Sequence, residues 1–122
     1  MKEETQEWID MAQEDLVAAE VLFESDLRPQ TVFYSHLAVE KMLKAHWVEQ
    51  HEEGFPPRTH DLMELLGMVK LDLSSWRPFL AKLSPEAVAS RYAKPDTYSQ
   101  QALAEYIQGS KELCALLLQM LN

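Results

Sequence analysis

At 122 residues, with 47% hydrophobic residues and a formal charge of −9, the chain is long enough for one domain around a single core and too apolar for general disorder. The surplus of acid excludes binding of nucleic acid or anionic membrane over the whole surface, so no extended nucleic-acid surface is expected. One cysteine, Cys114, excludes an internal disulfide, and no apolar run approaches the roughly 18 residues of a membrane span, so a cytoplasmic protein without a membrane segment is expected.

The predicted elements are all helical. Trp8, Met11, Ala12, Leu16, Ala19, Leu22 and Phe23 recur at three- and four-residue steps, which predicts a first helix from about Lys2 to Ser25 with its acids mostly on the other face. The stretch SDLRPQ ends it, and Pro29 falls near the first turn of the next helix, where a missing N–H costs little. Thr31 to Gln50 contains no Gly or Pro and is apolar around most of its circumference, as a central helix covered on several sides would be. Phe33, Leu37, Glu40, Lys44 and Trp47 form one stripe of it, with His36 four residues before Glu40. Glu40, Lys41 and Lys44 must therefore reach solvent, pair with each other, or serve a site.

Gly54 and Pro56-Pro57 predict a stop and a stiff loop. Thr59 is positioned to cap a short third helix carrying Leu62, Leu65, Leu66 and Val69, with Asp61 in its first turn. Ser74 or Ser75 and then Ser84-Pro85-Glu86 read as two further helix starts, so the region of Trp76, Phe79, Leu80 and Leu83 divides into two short pieces. The stretch SRYAKPDTY reads as a loop. A last helix from about Ser99 to Leu121 holds Leu103, Tyr106, Ile107, Ser110, Leu113, Cys114, Leu117 and Met120 in one stripe, with Gly109 weakening it or permitting close packing. The fold class is all-α: a single domain over residues 1–122, an up-and-down helical bundle of three long helices plus two or three short ones.

Few residues carry a legible chemistry. His36, His46, His51 and His60 match no known metal-ligand spacing, so no metal site and no cofactor are expected. His36, Glu40 and Lys44 share a face; an intrahelical polar pair accounts for them, and so does a polar crevice within the bundle. Arg58 and His60 flank Thr59 at the mouth of the third helix, where anions are favoured, although a purely structural loop, with Thr59 capping and His60 packing or bonding to backbone, is the simpler account. Arg91, Tyr92, Lys94 and Tyr98 cluster; such residues grip a phosphate and stack a base, or anchor a loop with Arg91 paired to an acid.

Four stretches carry a resemblance to the HEPN domain, the higher-eukaryote and prokaryote nucleotide-binding family. They are AQEDLVAAEVLFES (Ala12 to Ser25), AVEKMLKAHW (Ala38 to Trp47), PPRTHDLMELL (Pro56 to Leu66) and SRYAKPD (Ser90 to Asp96), the last with Ala93 where the family loop has proline. The resemblance implies a helical bundle that commonly dimerises, often with a minimal nucleotidyltransferase as partner in a two-component or toxin–antitoxin system. Some members are metal-independent ribonucleases with an Arg followed, after four to six residues, by His. Here the spacing differs: His60 is two positions after Arg58, seven residues separate Arg28 from His36, and Arg77 and Arg91 have no His downstream. The expectation is thus a non-catalytic homodimer, with no catalytic residue assigned, that binds a nucleotide or partners a nucleotidyltransferase. Lys44, Arg58, His60 and Arg91 would meet the ligand's charge, and Tyr92 would stack on its base. The alternatives are a ribonuclease using an atypical pairing of Arg91 with His60, and a structural interaction module. The apolar load of the central helix, with Trp47, Trp76 and Phe79, is expected to face outward and favour self-association.

Overall fold

The computed structural model describes residues 1–122, and every regular element in it is a helix. The elements are α1 (Glu3–Glu24), α2 (Arg28–Gln50), α3 (Leu62–Met68), α4 (Arg77–Leu83), α5 (Glu86–Tyr92) and α6 (Gln100–Leu121), with a 3-10 turn at Ser74–Trp76 leading into α4. Pro29 lies in the first turn of α2, where its fixed φ suits the helix and its missing N–H breaks no internal bond. Ser99 caps α6 by accepting from the Ala102 N–H at 3.0 Å.

Polar contacts along α2 fix how its neighbours run. Thr5 donates to Glu49 at 2.8 Å and Lys41 pairs with Asp15 at 2.7 Å, so α1 lies antiparallel to α2. Arg28 donates to the Tyr98 carbonyl at 2.9 Å, and His46 Nε2–H donates to the Leu117 carbonyl at 2.8 Å, so α6 runs parallel to α2. Between them the chain must travel back. Gln50 bonds Lys70 near the end of α2, Arg91 lies over Phe33 near its start, and α4 and α5 make that return leg. The core is α2 itself: Val32, Ala38, Val39, Met42, Leu43 and Ala45 are buried, together with Ile9, Leu62, Leu65, Leu80, Leu83, Leu103, Leu113 and Leu117 from the surrounding elements.

Three expectations are corrected. Asp61, not Thr59, caps α3, accepting from the N–H groups of Met63 (2.9 Å) and Glu64 (3.2 Å); Thr59 instead accepts from the Asp61 N–H and donates to Glu64. Arg91 and Tyr92 are not in a loop: they close the last turn of α5, a helix held against the bundle by its buried Ala87 and Ser90. Trp47, Trp76 and Phe79 do not form an outward apolar face. They are half-buried against the core, Trp47 stacked on His51 at 3.9 Å and Phe79 edge-on to Trp76 at 5.6 Å. Phe79 reaches inward because Gly109 of α6 leaves it room; a Cβ there would overlap the ring. No helix is long and apolar enough to cross a membrane.

Candidate functional site

The middle of α2 carries three polar side chains at successive turns, His36, Glu40 and Lys44, and all three are buried. Glu40 joins them. Its Oε2 accepts from Lys44 Nζ at 3.1 Å, and its Oε1 accepts from His60 Nδ1–H at 2.9 Å and lies 3.5 Å from His36 Nδ1. Burial holds the His36 imidazole below its ordinary pKa; Glu40 acts against that shift and His60 adds to it. Neither ring nitrogen of His36 has a hydrogen-bond partner. The Lys44 ammonium also lies 5.8 Å from the centre of the Trp8 ring, so Lys44 faces α1.

His60 comes from outside α2, and local bonding aims it. Asp61 caps α3 and accepts from Ser84 Oγ–H at 3.1 Å, while Ser84 Oγ accepts from the Leu62 N–H at 2.9 Å. The Glu64 N–H, with Ser84 and the Met63 N–H, holds the Asp61 carboxyl below its ordinary pKa, partly offset by burial. With residues 59–62 so fixed, the His60 ring rests on Glu40 while remaining 61% exposed, so its Nε2 edge is free for a ligand.

Arg91 is placed by α5, which is tied to α6. Glu86 accepts hydrogen bonds from the hydroxyls of Tyr98 and Tyr106, whose rings meet edge-on at 6.1 Å. Burial and that carboxylate push Tyr98 up and raise Tyr106 to about 12, so both stay protonated donors. Arg91 Nε donates to the Ala87 carbonyl at 2.9 Å, and the guanidinium lies 5.9 Å from the Phe33 ring centre. No carboxylate pairs with it.

His60 and Arg91 thereby line one crevice of about 40 Å³ with Phe33, Leu37 and Ala87. One water molecule's share of liquid is ~30 Å³, so the crevice admits a phosphate oxygen and not a nucleoside. On the other side of Arg91 a cavity of about 390 Å³ shares Phe33 and Arg91 and adds Pro29, Gln30 and Tyr34. Of the residues singled out in sequence, His60 and Arg91 are brought together. Lys44 is joined to His60 only through Glu40 and does not line the crevice. Arg58 is exposed on the loop before α3 and lines neither cavity. Tyr92 is 80% exposed and also stands outside both; the aromatic side chains at the cavity are Phe33 and Tyr34.

Phe33 and Leu37 were missed as site residues. The signal lay in the stripe in which Glu40 and Lys44 interrupt Phe33, Leu37 and Trp47. Cys114 is buried and its thiol is raised to about 12, which makes it a core residue. No group of three or more His, Cys, Asp or Glu side chains is arranged to hold a metal ion.

The model of the HEPN domain matches residues 5–120. The chain belongs to the HEPN family. A solved structure, described as the crystal structure of TT1696 from Thermus thermophilus, superposes with a TM-score of 0.84 at 17% identity, covering 97% of this chain and 98% of that one. At that identity the likeness speaks for the fold alone. A search among curated proteins finds no match. In this HEPN domain the AVEKMLKA segment contributes Glu40 and Lys44, and PPRTHDL contributes His60, so two of the stretches that carry the resemblance meet at Glu40.

Proposed function

We propose that this HEPN domain is a non-catalytic module that binds the phosphate of a nucleotide between His60 and Arg91. The carrying observation is that these two residues, from separate elements, line one crevice on α2, with Arg91 paired to no acid and Glu40 behind His60. The guanidinium offers a forked donor set, and His60 offers its free edge. The base and ribose occupy the larger cavity against Phe33 and Tyr34, with Arg91 between the two spaces. Calorimetric titration of AMP and ATP into the protein and into His60→Ala is the test. Saturable binding lost in the variant is expected; no binding to the wild type removes the reading.

In this reading the protein is an up-and-down bundle whose third leg is the short helices, works as a cytoplasmic homodimer, and partners a minimal nucleotidyltransferase in a two-component or toxin–antitoxin system. Family membership supports that setting, and exposed Val17, Val21 and Phe23 on α1 supply apolar surface for self-association. Light scattering should give twice the monomer mass of 14.1 kDa, and a clean monomer would remove the dimer.

The pairing of His60 with Arg91 also favours a second reading. A histidine oriented by a carboxylate beside an arginine is the equipment of a metal-independent ribonuclease: His60 as general base, held by Glu40, and Arg91 on the phosphate. Incubation with labelled RNA separates the readings. Cleavage that disappears in His60→Ala supports the enzyme; intact RNA beside saturable nucleotide binding supports the module.

A further inference from the structure

A second concave surface lies at the C-terminal end of α2, away from His60 and Arg91. It is a groove of about 530 Å³ lined by the apolar side chains of Trp8, Met11 and Val48, with Phe55 at its edge. Glu4 and Glu7 of α1 and Glu52 and Glu53 of the following loop rim it, and none of the four forms an ion pair.

Two of these acids lie next to a helix end. The last carbonyls of a helix form its negative pole, where Lys, Arg or protonated His is favoured and carboxylates are not. α2 has no basic residue in its last turn, its cap residue is His51, and Glu52 and Glu53 come next. The carbonyls of the pole are answered from within the chain, by His51 Nδ1–H donating to the Trp47 carbonyl at 2.7 Å and by the Lys2 ammonium, so the carboxylates of Glu52 and Glu53 are left without a cation. One cation of the chain itself, Lys2, lines the groove, and its ammonium goes to backbone carbonyls and to none of the four carboxylates. The ammonium of Lys2 lies at this end of α2, donating to the carbonyls of Val48 (3.0 Å) and His51.

The apolar part is held out by the backbone. Gly54 adopts a left-handed φ of 102°, which side chains rarely tolerate, and Pro56 is buried on the other side. Between these anchors Phe55 stands 86% exposed. An aromatic ring fixed in solvent beside four unpaired carboxylates matches a ligand that is itself apolar on one side and cationic on the other.

We propose that this groove docks a Lys/Arg-rich amphipathic segment of a partner protein, with an apolar side chain against Trp8, Met11 and Phe55 and cationic groups on Glu7, Glu52 and Glu53. The proposal stands independently of the phosphate crevice. Nucleic acid and anionic lipid are repelled by the same carboxylates.

The probes are a fluorescein-labelled helical Lys/Leu/Trp peptide and its Glu/Leu/Trp counterpart, followed by fluorescence polarisation with the full chain. The basic peptide should bind, more weakly as salt is raised, and the acidic one should not. Removing a central aromatic or reversing its charged rim should weaken binding at least ~10-fold, as for an interface hot spot. The variants are therefore Phe55→Ser and the pair Glu52→Lys/Glu53→Lys, all at exposed positions, with folding checked by circular dichroism. The remote pair Glu24→Lys/Glu112→Lys should change affinity much less. No binding of the basic peptide overturns the proposal, as does binding that ignores Phe55 and Glu52/Glu53. An equal loss from the remote pair would assign the attraction to the general field of the protein and overturn the groove as its site. Conversion of a dimer to a monomer by Phe55→Ser would make a second copy the occupant and overturn the heterologous partner.

Discussion

The Glu40 carboxylate and the Lys44 ammonium face each other at 3.1 Å inside the core, one turn apart on α2, with both side chains buried. Isolated burial of either charge would be prohibitive, so each is tolerated because of the other, and Glu40 has His60 as a second donor. Breaking such a pair from one side leaves an uncompensated buried charge. Glu40→Ala is expected to cost about 3–5 kcal/mol in urea denaturation, and the double variant Glu40→Leu/Lys44→Met is expected to recover most of it. A single variant as stable as the wild type would mean that water reaches Lys44 freely.

α1, α2 and α6 were legible in the sequence because they are long and their apolar spacing is regular. Phe33, Leu37 and Trp47 continue a stripe that Glu40 and Lys44 interrupt, and the interruption is where the structure places its polar cluster. What could not be read is which distant residue answers Glu40. His60 reaches it only because Asp61 caps α3 and Ser84 braces Asp61, a tertiary contact with no periodicity to betray it. Arg91 reads as a loop residue in sequence for a related reason. Its helix is seven residues long, too short for a stripe, and is held by Glu86 bonding to Tyr98 and Tyr106 on another part of the chain.

A pH dependence follows from two buried imidazoles. Burial lowers the pKa of both His36 and His46 in the folded protein. In the unfolded chain each takes up a proton at its ordinary value of 6.5, while the folded protein resists until lower pH. Stability is therefore full above that value and is lost as pH falls below it towards the folded values, by at most about 1.4 kcal/mol per pH unit for each histidine. Thermal melts between about pH 7.5 and about pH 5.5 should show a falling midpoint, in a window above the carboxylate range. His36→Leu should flatten part of the slope. An unchanged slope in that variant would exclude His36 as a contributor.

Gly109 tests packing against propensity. In an exposed helix Gly→Ala stabilises by up to ~1 kcal/mol. Here the added methyl would overlap the Phe79 ring, which is itself packed on Trp76. Overpacking costs about 1–3 kcal/mol, so Gly109→Ala should lower stability by about 1 kcal/mol in net. Gly109→Ala/Phe79→Leu should regain the loss. Stabilisation by Gly109→Ala alone would mean that Phe79 moves aside without cost.

Arg91 offers the sharpest separation of function from stability. Its hydrogen bond goes to the Ala87 carbonyl of its own helix, it lies 5.9 Å from the Phe33 ring centre, and it pairs with no acid. Substitution of such an exposed side chain changes stability by about 0.5 kcal/mol or less. If its free guanidinium nitrogens hold a phosphate, the charge-assisted contact contributes ~1.5–3 kcal/mol to binding. Arg91→Ala should therefore melt close to the wild type and bind AMP or ATP at least ~10-fold more weakly. Arg91→Lys keeps the charge without the fork and should fall between the two. Calorimetric titration run beside thermal melts reads both quantities on the same samples. A large drop in melting temperature, with no nucleotide bound by the wild type, would make Arg91 a brace between α5 and α2 and end its assignment to a ligand.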